Sequence, residues 1–437
     1  MTMKRRDFLK ATGLGVALLP AGQQLARAGE APTAARPNVV LIISDDQGFG
    51  DHGFMGHDAI QTPRLDRLAS GSVVFTRGYV TAPLCGPSLA TLLTGLYPHQ
   101  HRITGNDPGG RGPRAPFFEA FEKCPRLPEI LGRAGYASFQ SGKFWMAHYS
   151  RAGFTDGMTV KGRHGEAGLS IGRQTMKPVL DFVDKAKADG KPFFLWYAPM
   201  MPHLPHNPPP RLLDKYKAKT DNLPLAKYWA MCEWFDESCG QLLDHLDQQG
   251  LRENTLVVYV CDNGWVQPDP KRPGHGAGRG KLTPYDGGLR TPIMLRWPGR
   301  LAPRMDREHL ASSLDLVPTI LAACGLKPPP EMPGLSLLDE KAVGARDAVF
   351  AEYYTHDMAD VAAPAKSLRA RVCIQGDWKL ILWQGLQPKV GRPAAAPPAK
   401  AELYHLKDDP FEKANLAEKH PDKVAALTKR LDEWWRP

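Results

Sequence analysis

Apolar runs rich in valine and isoleucine alternate along most of the chain with segments whose apolar positions repeat every three to four residues. The runs at residues 39–43, 192–198, 255–260 and 291–297 predict buried β-strands. Amphipathic helices are predicted at residues 62–70, 127–135, 174–188, 227–250 and 312–325. Because strands that read as continuous apolar runs are buried on both faces, we expect an α/β fold with a large, mostly parallel sheet covered by helices on both faces.

The pattern changes after the proline-rich stretch at residues 327–334. The segments VFAEYY, RVCIQGDWKLIL and ELYHL read as short strands of an antiparallel sheet, and KHPDKVAALTKRLDEWW reads as a closing helix. A Pro/Ala-rich loop, PKVGRPAAAPPAK, precedes the last of these strands. We therefore expect a main α/β domain over residues 29–335 and a smaller C-terminal α+β domain over residues 336–437.

The first 28 residues have the features of an export signal. Arg5 and Arg6 precede a short apolar run and the small-residue pattern Ala26-Arg27-Ala28. The run is too short to span a membrane. Residues 1–28 are therefore predicted to be a twin-arginine signal peptide, recognised by the twin-arginine translocase, and the protein to be periplasmic or secreted without stable membrane insertion.

Charge and cysteine content narrow the classes of function. The formal net charge of +10 falls to about +6 without the signal peptide, which holds five basic residues and one acidic residue. The basic residues are dispersed, so nucleic-acid binding is not expected. Seven scattered cysteines without a C-x-x-C motif argue against a disulfide scaffold and a thiolate zinc site.

Two predicted strands end in oxygen-bearing residues. Asp45 and Asp46 follow the first apolar run, and Asp262 and Asn263 follow the run at residues 255–260. Ligands gather beyond the carboxyl ends of parallel strands, so these residues are expected to converge. Three carboxylates and an amide oxygen suit Ca²⁺, or Mg²⁺, better than zinc or copper.

Cys85 precedes a proline that favours the first turn of a helix through Leu89 to Gly95. A helix N-terminus favours negative charge, which would lower a thiol pKa or hold an anionic group on the side chain. The alternative is a small buried apolar residue.

Three further stretches rich in glycine or proline carry cations or imidazoles. They are Gly142-Lys143, MPHLPHNPP with His203 and His206, and GHGAGRGKLTPYDGG with His275, Arg279 and Lys281. Such groups can bind an oxyanion or protonate a leaving group.

These motifs together resemble those of the type I sulfatases, in the alkaline phosphatase superfamily. The likeness runs in order through PNVVLIISDDQG, CGPSLATLLTG, YPHQH, LPEILGRAGY, GK, PH, TLVVYVCDNG, GKLTPYDGGLRTP, RWPG, SSLDLVPTIL, GDWKLIL and LYHLKDDPFEKANLA. It covers essentially the whole chain after the signal peptide, and makes residues 29–335 the expected catalytic domain of a sulfuric ester hydrolase resembling the arylsulfatases.

The resemblance implies a role for each matching residue. Cys85 would be converted to formylglycine by a formylglycine-generating maturation enzyme, and the hydrated aldehyde would attack the sulfur of a sulfate ester. The formylglycine oxygen would join four residues that hold Ca²⁺: Asp45, Asp46, Asp262 and Asn263. Lys143 and Lys281 would bind sulfate oxygens, and His203 would lie at the leaving-group side.

Two positions depart from the family pattern. The arginine of the motif C-x-P-S-R is Leu89 here, and the histidine expected in G-K-x-H is Trp145. In the family that arginine assists maturation and contacts the aldehyde hydrate. Four cations are candidates for its replacement: His99, His101, Arg102 and Arg279.

The expected substrate is a sulfated small molecule or glycan, most simply a sulfated carbohydrate met outside the cytoplasm. Two alternatives remain open at this point. One is a related hydrolase acting on a phosphodiester or a phosphonate ester. The other, kept open by Leu89 and Trp145, is a sulfatase-like protein that binds sulfated glycans without turnover.

Overall fold

The computed structural model describes residues 36–109, 112–162, 169–265, 279–384 and 400–437. The predicted signal peptide, His275 and nearly all of the Pro/Ala-rich loop lie outside the described residues. Residues Arg36–Pro437 form one compact unit.

The described residues contain strands and α-helices throughout. The strands are β1 (Asn38–Ser44), β2 (Val73–Tyr79), β3 (Asp107–Pro108), β4 (Ala137–Gly142), β5 (Asp156–Gly157), β6 (Phe193–Ala198), β7 (Thr255–Cys261), β8 (Arg290–Arg296), β9 (Arg304–Ser312), β10 (Ala348–Tyr354), β11 (Asp357–Met358), β12 (Leu368–Gln375), β13 (Trp378–Trp383) and β14 (Ala401–His405). The helices are α1 (Pro63–Ser70), α2 (Cys85–Thr94), α3 (Pro98–His101), α4 (Ala115–Glu122), α5 (Leu127–Arg133), α6 (Lys177–Ala188), α7 (Pro210–Lys217), α8 (Leu223–Gln248), α9 (Asp286–Leu289), α10 (Leu316–Ala323), α11 (Glu340–Ala345) and α12 (Pro421–Trp434).

The large sheet has eight strands in the order β5-β4-β6-β1-β7-β8-β2-β9. Among the described pairs, β8 is antiparallel to β7 and β2, and the other neighbours pair in parallel. The predicted α/β class with a mostly parallel sheet is confirmed. Because β1 and β7 are parallel neighbours, their carboxyl ends lie side by side.

The side chains of β1 alternate between two apolar cores. Val39, Leu41 and Ile43 pack with residues of α2, α5 and α10. Val40 and Ile42 pack on the opposite face with residues of α1, α6 and α8. Each such side chain stabilises the fold by about 1.5–3 kcal/mol when fully buried. Helices therefore cover both faces of the sheet.

The C-terminal sheet is antiparallel, in the order β10-β12-β13-β14, as predicted. Leu427 and Leu431 of α12 pack on one face, against Leu380 and Leu403. The opposite face packs with residues of β2 and β9 in a third apolar cluster. The division of the chain between residues 335 and 336 stays a prediction.

A buried ion-pair group connects this sheet to the large one. Lys379 of β13 lies 2.9 Å from Asp286 Oδ1 and 2.8 Å from Glu412 Oε1, and all three side chains are almost inaccessible to solvent. Burial opposes charge on Lys379, but the two carboxylates raise its pKa above the ordinary value. Asp286 begins α9, directly after the loop that contains Lys281.

Candidate active site

Oxygen-bearing side chains from two adjacent strands meet at one end of the large sheet. β1 and β7 are paired with Ser44 opposite Cys261, so Asp45 and Asp46 emerge beside Asp262. The backbone N–H of Asp46 donates to Asp262 Oδ1 at 3.1 Å. The structure thus brings together the two strand ends that the sequence indicated would meet.

Asp46 lies at the centre of this cluster. Its φ of 61° is uncommon for a residue other than glycine. Its Oδ1 accepts a hydrogen bond from Asn263 Nδ2 at 2.7 Å and another from Lys281 Nζ, and its Oδ2 lies 3.6 Å from His203 Nε2. Burial alone would raise the pKa of this carboxyl, but Lys281 and His203 hold it below its ordinary value.

Lys143 enters the cluster from the end of β4. Gly142 has a φ of 81°, and a Cβ there would lie 1.9 Å from the carbonyl oxygen of Ala198, so this turn requires glycine. Lys143 Nζ lies 2.5 Å from Asp45 Oδ1 and 3.6 Å from Asp262 Oδ2. Burial disfavours the charged ammonium, yet these carboxylates raise its pKa well above the ordinary value, so Lys143 is cationic at neutral pH.

Cys85 is the first residue of α2 and is 1% exposed. Its Sγ lies 2.9 Å from Lys281 Nζ and 3.8 Å from Asp46 Oδ1. Burial raises the pKa of the thiol to about 12, although Lys143 and Lys281 act in the opposite direction. Of the two effects expected of the helix N-terminus, a lowered thiol pKa is contradicted, because desolvation of the thiolate outweighs the nearby positive charges. The other, an anionic group held on this side chain, stays a prediction.

His203 reaches the cluster from the loop after β6. Its Nδ1 donates to the carbonyl oxygen of Leu204 at 2.7 Å, so Nε2 is the nitrogen that faces Asp46. Burial lowers the pKa of this imidazole to about 4, although Asp46 raises it in part. His203 is therefore neutral at pH 7 before any substrate binds.

Arg173 holds the loop that carries His203. Its guanidinium donates to the backbone carbonyl oxygens of Met200, His203 and Pro205, and to the side chain of Asn207. Sequence analysis missed this residue, because a single arginine before an amphipathic helix has no local feature that marks it as a loop clamp.

Three oxygens of the cluster are buried without a hydrogen-bond partner among the described residues: Asp45 Oδ2, Asp262 Oδ2 and Asn263 Oδ1. One ligand atom each from Asp45, Asp46, Cys85 and Asp262 lies within 4.8 Å of the others. A buried acceptor without a partner costs about 1–3 kcal/mol, and a bound cation would remove that cost. These oxygens therefore fit a hard divalent cation.

The charges of the cluster support the same assignment. Burial raises the pKa of Asp45 and raises that of Asp262 to about 7, and the neighbouring carboxylates add to both effects. Three carboxyl groups face two lysines, Lys143 and Lys281. A divalent cation would turn an excess of negative charge into a positive one, which suits an anionic substrate.

The two positions that depart from the family pattern are buried. Leu89 is 2% exposed and belongs to the apolar core on the α2 side of the sheet. Trp145 is 1% exposed, and its backbone carbonyl accepts a hydrogen bond from Arg114 at 3.1 Å. Both positions therefore contribute to packing in this chain.

The four residues considered as replacements for the motif arginine have other surroundings. His99 pairs with Glu352, His101 contacts Thr91, Arg279 lies over the ring of Tyr285, and Arg102 is exposed after α3. In the part of the chain that the structure describes, none of the four forms a hydrogen bond with Cys85. The cations beside Cys85 are Lys143 and Lys281.

Two family profiles match the chain. The profile described as Sulfatase matches residues 37–326, about two thirds of the chain. The profile described as N-sulphoglucosamine sulphohydrolase, C-terminal, matches residues 280–435.

Individual sulfatases are similar to this chain over most of its length. The N-acetylgalactosamine-6-sulfatase of Rattus norvegicus is 29% identical over 350 residues, which cover 69% of this chain and 65% of the rat protein, slightly less than two thirds of its length. The N-acetylgalactosamine-6-O-sulfatase of Bacteroides thetaiotaomicron is 24% identical, with 96% of this chain and 97% of that protein covered. A sulfatase structure from Pseudoalteromonas sp. has the same fold, with a TM-score of 0.70, 21% identity, and 91% of this chain and 89% of that chain covered.

Proposed function

This chain belongs to the sulfatase family, and from that membership we propose that it is a sulfuric ester hydrolase that removes sulfate from a sulfated carbohydrate. The observation that carries the proposal is the buried cluster in which carboxylates, two lysines, a histidine and Cys85 converge. Two relatives bear the name of N-acetylgalactosamine-6-sulfatases, so N-acetylgalactosamine 6-sulfate is the first substrate to test.

The proposed metal ligands are Asp45, Asp46, Asp262 and Asn263, joined by the side-chain oxygen that formylglycine would supply at residue 85. Ca²⁺ is the cation proposed, and Mg²⁺ is the other that suits these oxygens. When bound, the cation would supply positive charge that polarises the ester and stabilises negative charge in the transition state.

Cys85 is proposed to be the precursor of the nucleophile. An unmodified thiol whose pKa is about 12 carries little thiolate at neutral pH and is a poor nucleophile, which supports its conversion to formylglycine by a maturation enzyme. The hydrated aldehyde supplies the hydroxyl group that attacks sulfur.

Three further residues are proposed to act on the sulfate group. Lys143 and Lys281 would bind its oxygens, since both are buried cations whose pKa values are raised by neighbouring carboxylates despite desolvation. His203 would act at the leaving-group side as an acid or a sulfate ligand. Its Nδ1 is bonded to a backbone carbonyl, so Nε2 is the atom that would hold or transfer the proton.

The proposed setting is the periplasm or the exterior of the cell, reached through the twin-arginine translocase. Among the described residues, no helix combines the length and apolar character needed to cross a membrane. We propose that residues 29–335 form the catalytic domain and residues 336–437 the smaller one.

A second candidate function is binding of sulfated glycans without turnover. It is favoured by Leu89, which fills an apolar core where the family pattern has a cation. Under this alternative Cys85 stays a thiol, and the cluster binds the sulfate group without cleaving it.

The deciding experiment is peptide mass spectrometry of residue 85 in protein purified from its native host, combined with a sulfate-release assay on N-acetylgalactosamine 6-sulfate. Hydrolysis requires the aldehyde at residue 85, sulfate release, and loss of that release in Cys85→Ala. An intact thiol together with tight binding and no sulfate release would establish the second candidate instead.

A further inference from the structure

Tyr228 and Trp265 form an aromatic stack beside the candidate active site. Their rings are parallel within 9°, with centroids 3.6 Å apart. Tyr228 is fully buried, and its hydroxyl donates to Asp51 Oδ2 at 2.7 Å and accepts from the backbone N–H of Gly48 at 3.1 Å. Trp265 is partly exposed. Since Tyr228 covers one face of the indole, the exposed area belongs to the other face and the edges.

The stack touches three segments that also supply residues to the cluster, and Trp265 itself belongs to the segment of Asn263. Trp265 is two residues beyond Asn263, and its carbonyl oxygen accepts from the backbone N–H of Lys281 at 2.9 Å. Asp51, which holds Tyr228, follows Asp46 in the loop after β1.

The third of these segments is the loop of His203. The ring of His206 lies 5.8 Å from that of Tyr228, and His203 of the same loop reaches Asp46. These contacts place the stack beside the segments that carry Lys281, Asp46 and His203, and Trp265 itself lies two residues from Asn263. No pattern in the sequence indicated this role, since Trp265 follows the Asp-Asn-Gly motif without a motif of its own.

We propose that the outer face of Trp265 is the platform on which the pyranose ring of the substrate lies while its sulfate group enters the cluster. The C–H groups on one face of a pyranose are apolar and pack well on an aromatic π-face. A binding site with one aromatic wall and a few polar groups is typical of small-ligand recognition. The inference rests on the proposed function, and it deepens that function by naming a substrate-binding residue.

The rigidity of the stack supports this role. Tyr228 is fixed by two hydrogen bonds and packs against one face of the Trp265 indole. The Trp265 side chain therefore loses little conformational freedom when a sugar binds. A tryptophan on a mobile loop without such support would bind the same sugar more weakly.

The test compares Trp265→Ala, Trp265→Leu and Trp265→Phe with the wild-type protein on N-acetylgalactosamine 6-sulfate. We expect KM to rise about tenfold in the alanine and leucine variants, with a smaller change in kcat, and to rise less in the phenylalanine variant. The leucine variant keeps an apolar side chain over Tyr228 but has no aromatic face. A rise of KM in this variant is therefore due to loss of the aromatic face and not to loss of packing. Trp378→Ala, which removes a partly buried tryptophan of the C-terminal sheet, is the matched control and should leave KM unchanged.

A KM within twofold of wild type in both Trp265→Ala and Trp265→Leu would overturn the platform. Failure of the proposed function is distinguished by a separate measurement, the change in tryptophan fluorescence on titration with the same sugar. If the wild type releases no sulfate, a fluorescence change that disappears in Trp265→Phe still supports the platform. The absence of any such change in the wild type contradicts it.

Discussion

A divalent cation is expected to stabilise the folded chain through the three buried oxygens that lack hydrogen-bond partners, Asp45 Oδ2, Asp262 Oδ2 and Asn263 Oδ1. A ligand that binds only the folded state stabilises it by RT ln(1 + [L]/Kd), or about 1.4 kcal/mol for each tenfold rise in concentration above Kd. Removal of the cation with a chelator, followed by its stepwise return, is therefore the perturbation to apply.

The size of the effect follows from the size of the folded unit. The unit Arg36–Pro437 has about 400 residues, and unfolding entropy near 2.1 cal/mol/K per residue gives about 0.84 kcal/mol/K. Each tenfold rise in free Ca²⁺ should then raise Tm by about 1.7 °C, and a concentration of 100 times Kd should raise it by about 3 °C. The slope does not depend on the value of Kd, so it can be predicted before Kd is known.

Differential scanning calorimetry at a series of buffered Ca²⁺ concentrations measures this slope. Asp262→Asn removes one of the carboxylates and should move the onset of the Tm rise to a Ca²⁺ concentration at least tenfold higher, whereas Asp181→Asn, at an exposed carboxylate of α6, should leave the onset unchanged. A Tm independent of Ca²⁺ and Mg²⁺ in the wild type, or an onset at the wild-type Ca²⁺ concentration in Asp262→Asn, would refute the assignment of these oxygens to a cation.

Two further predictions concern stability. Lys379→Met should lower the free energy of unfolding in urea by about 3–5 kcal/mol, because it leaves the buried carboxylates of Asp286 and Glu412 without their cation. Lys177→Met, which breaks an exposed ion pair, should change this free energy little. Equal losses in the two variants would contradict the reasoning. Burial lowers the pKa of His101 to about 3, below the value near 6.5 expected in the unfolded chain. The folded state is therefore not penalised by protonation of His101 above pH 6.5, and it loses stability as the pH falls from 6.5 toward 3, because the unfolded chain takes up the proton first. The urea midpoint should therefore fall more between pH 7.5 and pH 4.5 in the wild type than in His101→Gln. Identical pH dependence in the two proteins would show that His101 does not contribute to the loss of stability at low pH.

Continuous apolar runs in the sequence were sufficient to predict the central strands. β1, β6 and β7 are continuous buried runs, and their observed bounds agree with the predicted ones to within one residue at each end. β9 was not predicted, because it lies at the edge of the sheet and its first six residues are mostly exposed and charged. The apolar run of β8 was predicted as a strand. Its antiparallel orientation was not predicted, because a continuous apolar run is compatible with either strand direction.

Helix ends were predicted less well than helix positions. α8 begins at Leu223, four residues before the predicted start, because Asn222 accepts a hydrogen bond from the Leu225 N–H and a proline follows Leu223. α10 begins later than predicted, because Ser312 caps a short 3-10 helix, Ser313–Asp315, that precedes it. In both cases a capping side chain decided the boundary.

The candidate site was foreseen by residue type more than by geometry. Asp45, Asp46, Asp262 and Asn263 stand at the ends of recognisable strands, and for parallel strands that position alone suggests that they meet. The direction of the pKa shift of the Cys85 thiol was not foreseen, because its ionisation depends on the depth of burial and on the balance of surrounding charges.

The sequence by itself determined the central strands of the sheet, the family likeness and most of the chemically competent residues, because these depend on local apolar patterns and on short motifs. The tertiary structure alone decided which buried oxygens lack partners, which lysine neutralises which carboxylate, and which segments Arg173 and the stack of Tyr228 and Trp265 support. Those features arise from contacts between residues far apart along the chain. Hydrogen bonding, desolvation and Coulomb energy all depend on distance and burial in the folded protein, which a local pattern does not specify.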